Sequence, residues 1–322
     1  MSANRRILLL GGSGFIGKQL AVALANGGWR VTIPSRHPHR NRALLVHPNI
    51  RLLQANIIDA AELRSLCEGQ QVIVNLVGIL HERRKGDFRR FHVEYIKTLV
   101  DVCSDSGISR LLHVSALSAN QATGSSLYLR SKGEGENLLH TFGQRGLKVT
   151  SFQPSVVFGK GDDFVNRFAG LLKWFIGYFP LACPDSKLAP VFVGDLVERM
   201  IESIDDRESY SKRFQICGPE QFTLRQIVDL IIDNLQLPVR VMPLGKRLSR
   251  MQAFVLGNLP GKLFTLDNYR SLQTDSVCNE GTHCETSLGQ YLHGLSTMFG
   301  NKHNYDSFRK NFPHVESSGD SL

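Results

Sequence analysis

Residues 6–17 read Arg6-Ile7-Leu8-Leu9-Leu10-Gly11-Gly12-Ser13-Gly14-Phe15-Ile16-Gly17, and the chain runs on into an amphipathic segment that ends at Asn26. Gly11 suits a tight turn out of a strand. Gly14 leaves the backbone bare where a pyrophosphate would approach, and Gly17 lets a helix lie close to the strand. The start of that helix offers free N–H groups and a partial positive charge to an anion. With Ser13, Phe15 and Ile16 these glycines form a candidate phosphate cradle. A glycine triplet alone is a weak signal; strand, glycines and helix in that order make it specific.

The same alternation continues outward. Apolar runs at Arg6–Leu10, Arg30–Pro34, Ile50–Gln54, Val72–Val77, Leu111–Val114 and Val149–Gln153 read as strands. They are nearly continuous in hydrophobicity, as a parallel sheet covered on both faces demands. Helical spacing fills the gaps at Phe15–Asn26, Ala60–Cys67, Phe88–Ser106 and Ser126–Arg145. The pattern predicts an α/β fold, a doubly wound parallel Rossmann sheet occupying residues 1–155. Over 156–300 the rhythm turns aromatic and proline-punctuated, with helices expected at Thr223–Leu235 and Lys246–Leu256. That stretch reads as an interleaved, smaller C-terminal lobe on the substrate side. Residues 301–322 are polar and read as a loose tail.

The end of the second strand selects the dinucleotide. An acid there would hold a ribose 2′-hydroxyl, whereas a cation would accept a 2′-phosphate. Here Val31-Thr32-Ile33-Pro34 runs into Ser35-Arg36, with His37 and Arg40 nearby and no acid before Asp59. This favours NADP(H) over NAD(H), because Arg36 can pair bidentately with phosphate oxygens and Ser35 can donate a hydrogen bond.

The 322 residues (36.0 kDa) are 42% hydrophobic and 21% charged, which excludes a disordered or fibrous chain. The formal net charge is +9, and all of the excess lies in residues 1–100, with 15 Lys/Arg against 6 Asp/Glu; the remainder holds 23 of each. The basic clusters, around Arg36–Arg42 and His81–Arg90, come with neither a recognition motif nor interleaved aromatics, so no nucleic-acid partner is expected. Ile7–Leu10 is too short for a signal-peptide core and no long Arg/Ser-rich leader precedes it, which leads us to expect a cytoplasmic protein, with a place peripheral to the inner membrane left open. Phe168–Ala182, interrupted by Lys173, falls short of the roughly 20 apolar residues of a span. The six cysteines suit buried small hydrophobes in a reducing compartment, and Cys278-x5-Cys284 with His283 is poorly spaced for zinc, so no metal is expected.

Tyr128-Leu129-Arg130-Ser131-Lys132 places a phenol and an ammonium four residues apart on one helical face. Chance yields such a pair often, but this one lies in the helix after the fifth strand, thirteen residues beyond Ser115 at that strand's C-terminal end. Ligands of open α/β sheets bind at that edge. Here the sequence resembles the short-chain dehydrogenase/reductase superfamily. The resemblance implies that Tyr128 transfers a proton, that Lys132 lowers the phenol's pKa and holds a ribose, and that Ser115 hydrogen-bonds a substrate oxygen. It also leaves open that Tyr128 and Lys132 serve only as ribose ligands.

A longer set of stretches is similar to one atypical, extended branch of that superfamily. These are Gly11–Gly17, Ile33–Arg36, Val74–Gly78, His113–Ala119, Tyr128–Lys132, Pro154–Gly159 and Val191–Asp195, with a weaker echo in Leu263–Asn268. The branch is the family of the nucleotide-binding accessory subunit of respiratory complex I and its bacterial relatives of the NAD-dependent epimerase/dehydratase type. The resemblance implies tightly bound NADP(H) with a role in assembly or stability. It brings Val77 and Gly78 near the cofactor, Pro154 and Val156 near the nicotinamide, and Asn56 and Ile57 near the adenine. Two departures stand out: Gln153 where the family's motif usually has Arg, and Asn56 where related enzymes carry Asp.

Two segments mix aromatics or aliphatics with cations: Phe168–Ala182 holds Trp174, Phe175, Tyr178 and Phe179, and Lys246–Leu256 combines Lys246, Arg247 and Arg250 with Leu248, Met251, Phe254 and Val255. They suit a substrate lid and a core helix better than a peripheral membrane or redox-complex contact. The leading expectation is therefore an NADP(H)-binding accessory to a membrane redox complex or to quinone metabolism. An active NADP(H)-dependent reductase of a small or lipophilic carbonyl or quinone, using Ser115, Tyr128 and Lys132, is the alternative. A cofactor-occupancy sensor is the third.

Overall fold

Strands that follow one another in sequence part company in space after the third. They are β1 (Arg6–Leu10), β2 (Arg30–Ser35), β3 (Ile50–Gln54), β4 (Val72–Asn75), β5 (Arg110–Val114), β6 (Lys148–Pro154), β7 (Val157–Phe158), β8 (Gly177–Leu181), β9 (Lys187–Leu188), β10 (Val191–Phe192), β11 (Arg213–Cys217), β12 (Phe222–Thr223), β13 (Val239–Pro243) and β14 (Thr282–His283). The main sheet runs β3-β2-β1-β4-β5-β6-β11-β14, parallel throughout. The order reverses between β1 and β4, which opens a crevice at their C-terminal ends. The computed structural model describes residues 5–143, 146–259, 262, 264–278 and 281–294. The expected tail and Leu263 of the 263–268 stretch lie outside the described residues.

The helices are α1 (Phe15–Asn26), α2 (Ala60–Cys67), α3 (Asp87–Arg89), α4 (Tyr95–Asp105), α5 (Leu127–Gly143), α6 (Val165–Leu172), α7 (Val193–Asp205), α8 (Leu224–Leu235), α9 (Lys246–Asn258) and α10 (Leu266–Ser271). On one face of the sheet α1 and α7 pack over Ile7, Leu9, Val31, Ile33 and Val74; on the other α2, α4 and α5 pack over Leu8, Leu10, Ile73 and Leu111. Successive residues of β1 thus bury on opposite faces, which is why the strand has no polar alternation. Each leucine removed from water there contributes roughly 2 kcal/mol. A separate core joins β8, β13, α6 and α8 in the C-terminal half.

Four expectations need correction. Strand β5 begins at Arg110, outside the predicted apolar run, because its buried guanidinium donates to Ile204 O (3.1 Å), Lys148 O (3.0 Å), Thr150 Oγ1 (2.8 Å) and Ser209 Oγ (2.9 Å). The single helix expected over Phe88–Ser106 is interrupted by a π-helical turn at Arg90–Glu94. A Cβ on Gly135 of α5 would collide with the carbonyl oxygen of His92, so only glycine lets the two helices cross this closely. Cys217 and Cys278 form a disulfide; the other four cysteines are free and buried. The partners are 61 residues apart, so their spacing gave no hint of pairing. Finally, α9 is no core helix, since it buries only Ser249 and Ala253.

Candidate functional site

The turn after β1 takes the form the glycines call for. Gly11 has φ +81°, and a Cβ there would lie 2.9 Å from the carbonyl carbon of Leu76. A Cβ on Gly17 would lie 2.5 Å from the Cα of Gly12 and 2.7 Å from Gly11 O, so α1 can sit on the turn only if that residue is glycine. Gly14 is the exposed N-cap of α1 and no side chain caps the helix. The first N–H groups, of Phe15, Ile16 and Gly17, therefore face outward as anion donors beside half-buried Ser13. A diphosphate fits this bare, uncapped cradle.

At the end of β2, Ser35 Oγ accepts from His37 N–H (3.3 Å), which leaves its own proton to donate. Arg36 and Arg40 are exposed, and neither guanidinium has a partner among the described residues. After β3, Asn56 Oδ1 accepts from Ile58 N–H (3.3 Å), and its backbone N–H donates to Glu62 (2.8 Å). Its amide NH2 stays available, and half-buried Ile57 packs against the core under α2.

Where the sheet order reverses, Asn75 is fully buried. Its Oδ1 accepts from Val77 N–H (3.2 Å), so its amide must donate to His113 Nδ1 (3.1 Å). The bond sets the Val77–Gly78 backbone beside Gly11, and a Cβ on Gly78 would lie 3.9 Å from Lys132 Nζ. His113, being buried and near the Lys132 ammonium, is held neutral with its pKa well below the usual imidazole range.

Helix α5 carries both Tyr128 and Lys132. Lys132 is 5% exposed and donates to Val114 O (2.7 Å); burial lowers its pKa to about 8, against the opposing pull of Glu136. Tyr128 is half-buried, with ring centres of Phe88 at 6.0 Å and His92 at 5.8 Å. Burial pushes its phenol up to about 12, the reverse of the lowering the superfamily resemblance implies. His92 Nε2 accepts from Ile79 N–H (3.1 Å), so Nδ1 carries the proton and donates to Ser131 Oγ (2.8 Å). Its pKa falls to about 3, through burial first and Lys132 second.

Ser115 is hydrogen-bonded within the protein. Its Oγ donates to Glu136 Oε2 (2.7 Å), and Gln153 Nε2 donates to both oxygens of the same carboxylate (2.9 and 3.0 Å). Arg213 Nε stands 3.6 Å away. Glu136 is 1% exposed, so this buried charge is satisfied by Ser115, Gln153 and Arg213 together. Gln153, noted as a departure from the family's motif, is thus a partner of Glu136. Pro154 is buried and Val156 half-buried at the end of β6. Glu136 and His92 escaped sequence reasoning, and so did the role of Asp267, whose carboxylate accepts from the Leu127 and Tyr128 N–H groups at the start of α5. Glu136 did leave a signal, being four residues beyond Lys132 as Lys132 is beyond Tyr128.

The chain is similar in sequence to the mitochondrial NADH dehydrogenase [ubiquinone] 1 alpha subcomplex subunit 9 of Mus musculus, 28% identical over 297 residues, which is 90% of this chain and 74% of that protein. The subunit of the same name from Arabidopsis thaliana is 24% identical over 289 residues, 84% and 70% of the two chains. In structure it is similar to DesIV, a dTDP-glucose 4,6-dehydratase from Streptomyces venezuelae solved with NAD bound, with a TM-score of 0.69 at 19% identity over 93% of this chain and 98% of that one. Residues 7–177 match the family model described as NAD dependent epimerase/dehydratase family. With the uncapped glycine cradle at the switch point and the Tyr128/Lys132 pair beside it, this chain is a nucleotide-binding, extended short-chain dehydrogenase/reductase that belongs to the NAD-dependent epimerase/dehydratase family.

Proposed function

We propose that the chain binds NADP(H) and holds it without turnover, as an accessory to a membrane redox complex or to quinone metabolism. In this reading Gly11, Ser13, Gly14, Phe15, Ile16 and Gly17 take the diphosphate, Ser35, Arg36 and Arg40 the 2′-phosphate, and Asn56 and Ile57 the adenine. Val77, Gly78, Pro154 and Val156 line the nicotinamide end, and Tyr128 and Lys132 act as ribose ligands. When bound, the nicotinamide can give or accept a hydride.

The observation that carries the reading is the Ser115–Glu136 hydrogen bond. It commits to a buried carboxylate the proton that a reductase would offer to the substrate oxygen. Tyr128, packed against the stacked rings of Phe88 and His92, keeps its own proton tightly. The nucleotide-holding half stays furnished while the proton-transfer half does not. The similarity to a complex I subunit points the same way.

The test is calorimetric titration with both nucleotides, followed by nicotinamide absorbance with a panel of carbonyls and quinones. Saturable NADP(H) binding with no oxidation across the panel is expected. Turnover that disappears in Tyr128→Phe would replace this reading with the active reductase using Ser115, Tyr128 and Lys132.

A further inference from the structure

Helix α9 is amphipathic the wrong way round for a helix in a soluble domain. Its inward residues are Ser249 and Ala253. Polar bonds hold this inner side of the helix in place: Ser249 Oγ donates to Leu244 O (3.0 Å) and accepts from Cys183 N–H (3.2 Å), and Gln252 Nε2 donates to Pro180 O (2.9 Å). The apolar residues point outward, with Leu248 49%, Met251 58%, Phe254 60% and Val255 51% exposed. They stand at i, i+3, i+6 and i+7, one face of the helix.

The neighbouring elements continue that surface. Strand β8, which Gln252 touches, pairs with β13 so that Tyr178 lies beside Arg240 and Pro180 beside Met242. Tyr178 and Met242 are exposed, and the turn leading into β8 carries Trp174 and Ile176 at 87% and 90% exposure. Such large side chains cost solvation at a free surface, and scattered singly they would mean little. Here they accumulate on one ribbon, its entry turn and the adjoining helix.

Charge identifies the occupant. Residues 164–184 and 234–266 contain no Asp or Glu at all. Lys173, Arg240, Lys246, Arg247 and Arg250 stand exposed within them, flanking the apolar residues. Apolar side chains ringed by cations, without an acid to pair them, match the headgroup and acyl boundary of an anionic bilayer. A protein interface would instead be expected to lose charge at its core and carry mixed signs at its rim. We propose that α9, the outer face of the β8–β13 ribbon and the Trp174–Ile176 turn form a docking face for an anionic lipid surface. This face acts independently of the nucleotide.

The experiment is co-sedimentation with phosphatidylcholine vesicles and with vesicles containing phosphatidylglycerol, read alongside tryptophan fluorescence. Trp29 is buried, so its surroundings do not change on binding and a blue shift reports Trp174. Binding about tenfold stronger to the anionic vesicles, weakened by salt, is expected. So is its loss both in Trp174→Ser/Ile176→Ser and in the charge reversal Lys246→Glu/Arg247→Glu/Arg250→Glu. These residues are exposed, and unchanged circular dichroism and NADPH titration will show that the variants fold. Sedimentation with neither vesicle type, or equally with both, would overturn the proposal. A concentration-dependent dimer broken by the Trp174/Ile176 substitutions would overturn it too, assigning the face to a second copy. Failure here with NADPH still bound leaves the nucleotide reading intact.

Discussion

The carboxylate of Asp267 caps the helix that carries Tyr128: its Oδ1 accepts from Leu127 N–H at 2.8 Å and its Oδ2 from Tyr128 N–H at 3.1 Å. A residue 139 positions downstream thereby satisfies the orphan donors of α5 and places a negative charge at its positive end. Thr265 and Asn268 hold Asp267 in place through a capping box of their own. Ser271 Oγ adds a bond to Ser126 (2.8 Å), so the short α10 clasps the start of α5.

Asp267→Ala is therefore expected to cost about 1 kcal/mol. In a chain of 322 residues that lowers the thermal midpoint by roughly 1–2 °C. Asp267→Asn should recover part of the loss. Thermal melts of the three proteins check it, and an unchanged midpoint in the alanine variant would remove the cap from the account of α5.

The buried Glu136 makes the opposite kind of demand. Glu136→Ala leaves Ser115 and Gln153 without their acceptor, and about 2–3 kcal/mol of stability should be lost. In Ser115→Ala/Glu136→Ala the hydroxyl that would be orphaned is gone, so the double variant should lose less than the sum of the singles. Urea unfolding of the cycle measures the coupling; strict additivity would mean that the two side chains do not interact.

Lys132 gives a pH signature. Its folded pKa of about 8 lies below the unfolded value of about 10.4, so between those pH values the unfolded chain holds a proton the folded chain has shed. Stability from this group therefore rises with pH across that window. Without nucleotide, Lys132→Met should be more stable than the parent at pH 7, by on the order of 2–3 kcal/mol, and the gap should close by about pH 10. Urea midpoints at three pH values test this, and a gap that widens with pH would contradict the sign.

Arg36→Ala should weaken NADP(H) binding about 10- to 100-fold and leave NAD(H) binding nearly unchanged, because a guanidinium–phosphate pair is lost only where a phosphate exists. Calorimetry with both nucleotides decides it. An equal loss for both would place Arg36 away from the 2′-position.

Much of this molecule was legible in its residues. Helices α1 and α2 and strands β1 and β3 begin and end where periodicity placed them, because short-range burial on a covered parallel sheet is written in consecutive apolar residues. The glycine turn was legible for a related reason, since a backbone that admits no Cβ can be supplied by only one residue type. What the sequence left undecided were relations between residues far apart in the chain. The Cys217–Cys278 bond, the Glu136 carboxylate that takes the proton of Ser115, the Asp267 cap and the outward apolar face of α9 leave little local pattern. Each is fixed by which elements the folded sheet brings together, and hydrogen bonds and burial depend on distance in space. The sequence by itself determined a dinucleotide fold with a cation, Arg36, just past the end of its second strand. Only the tertiary structure decided that Ser115 answers to Glu136, because the buried charge had to be satisfied by whatever donors packing placed around it.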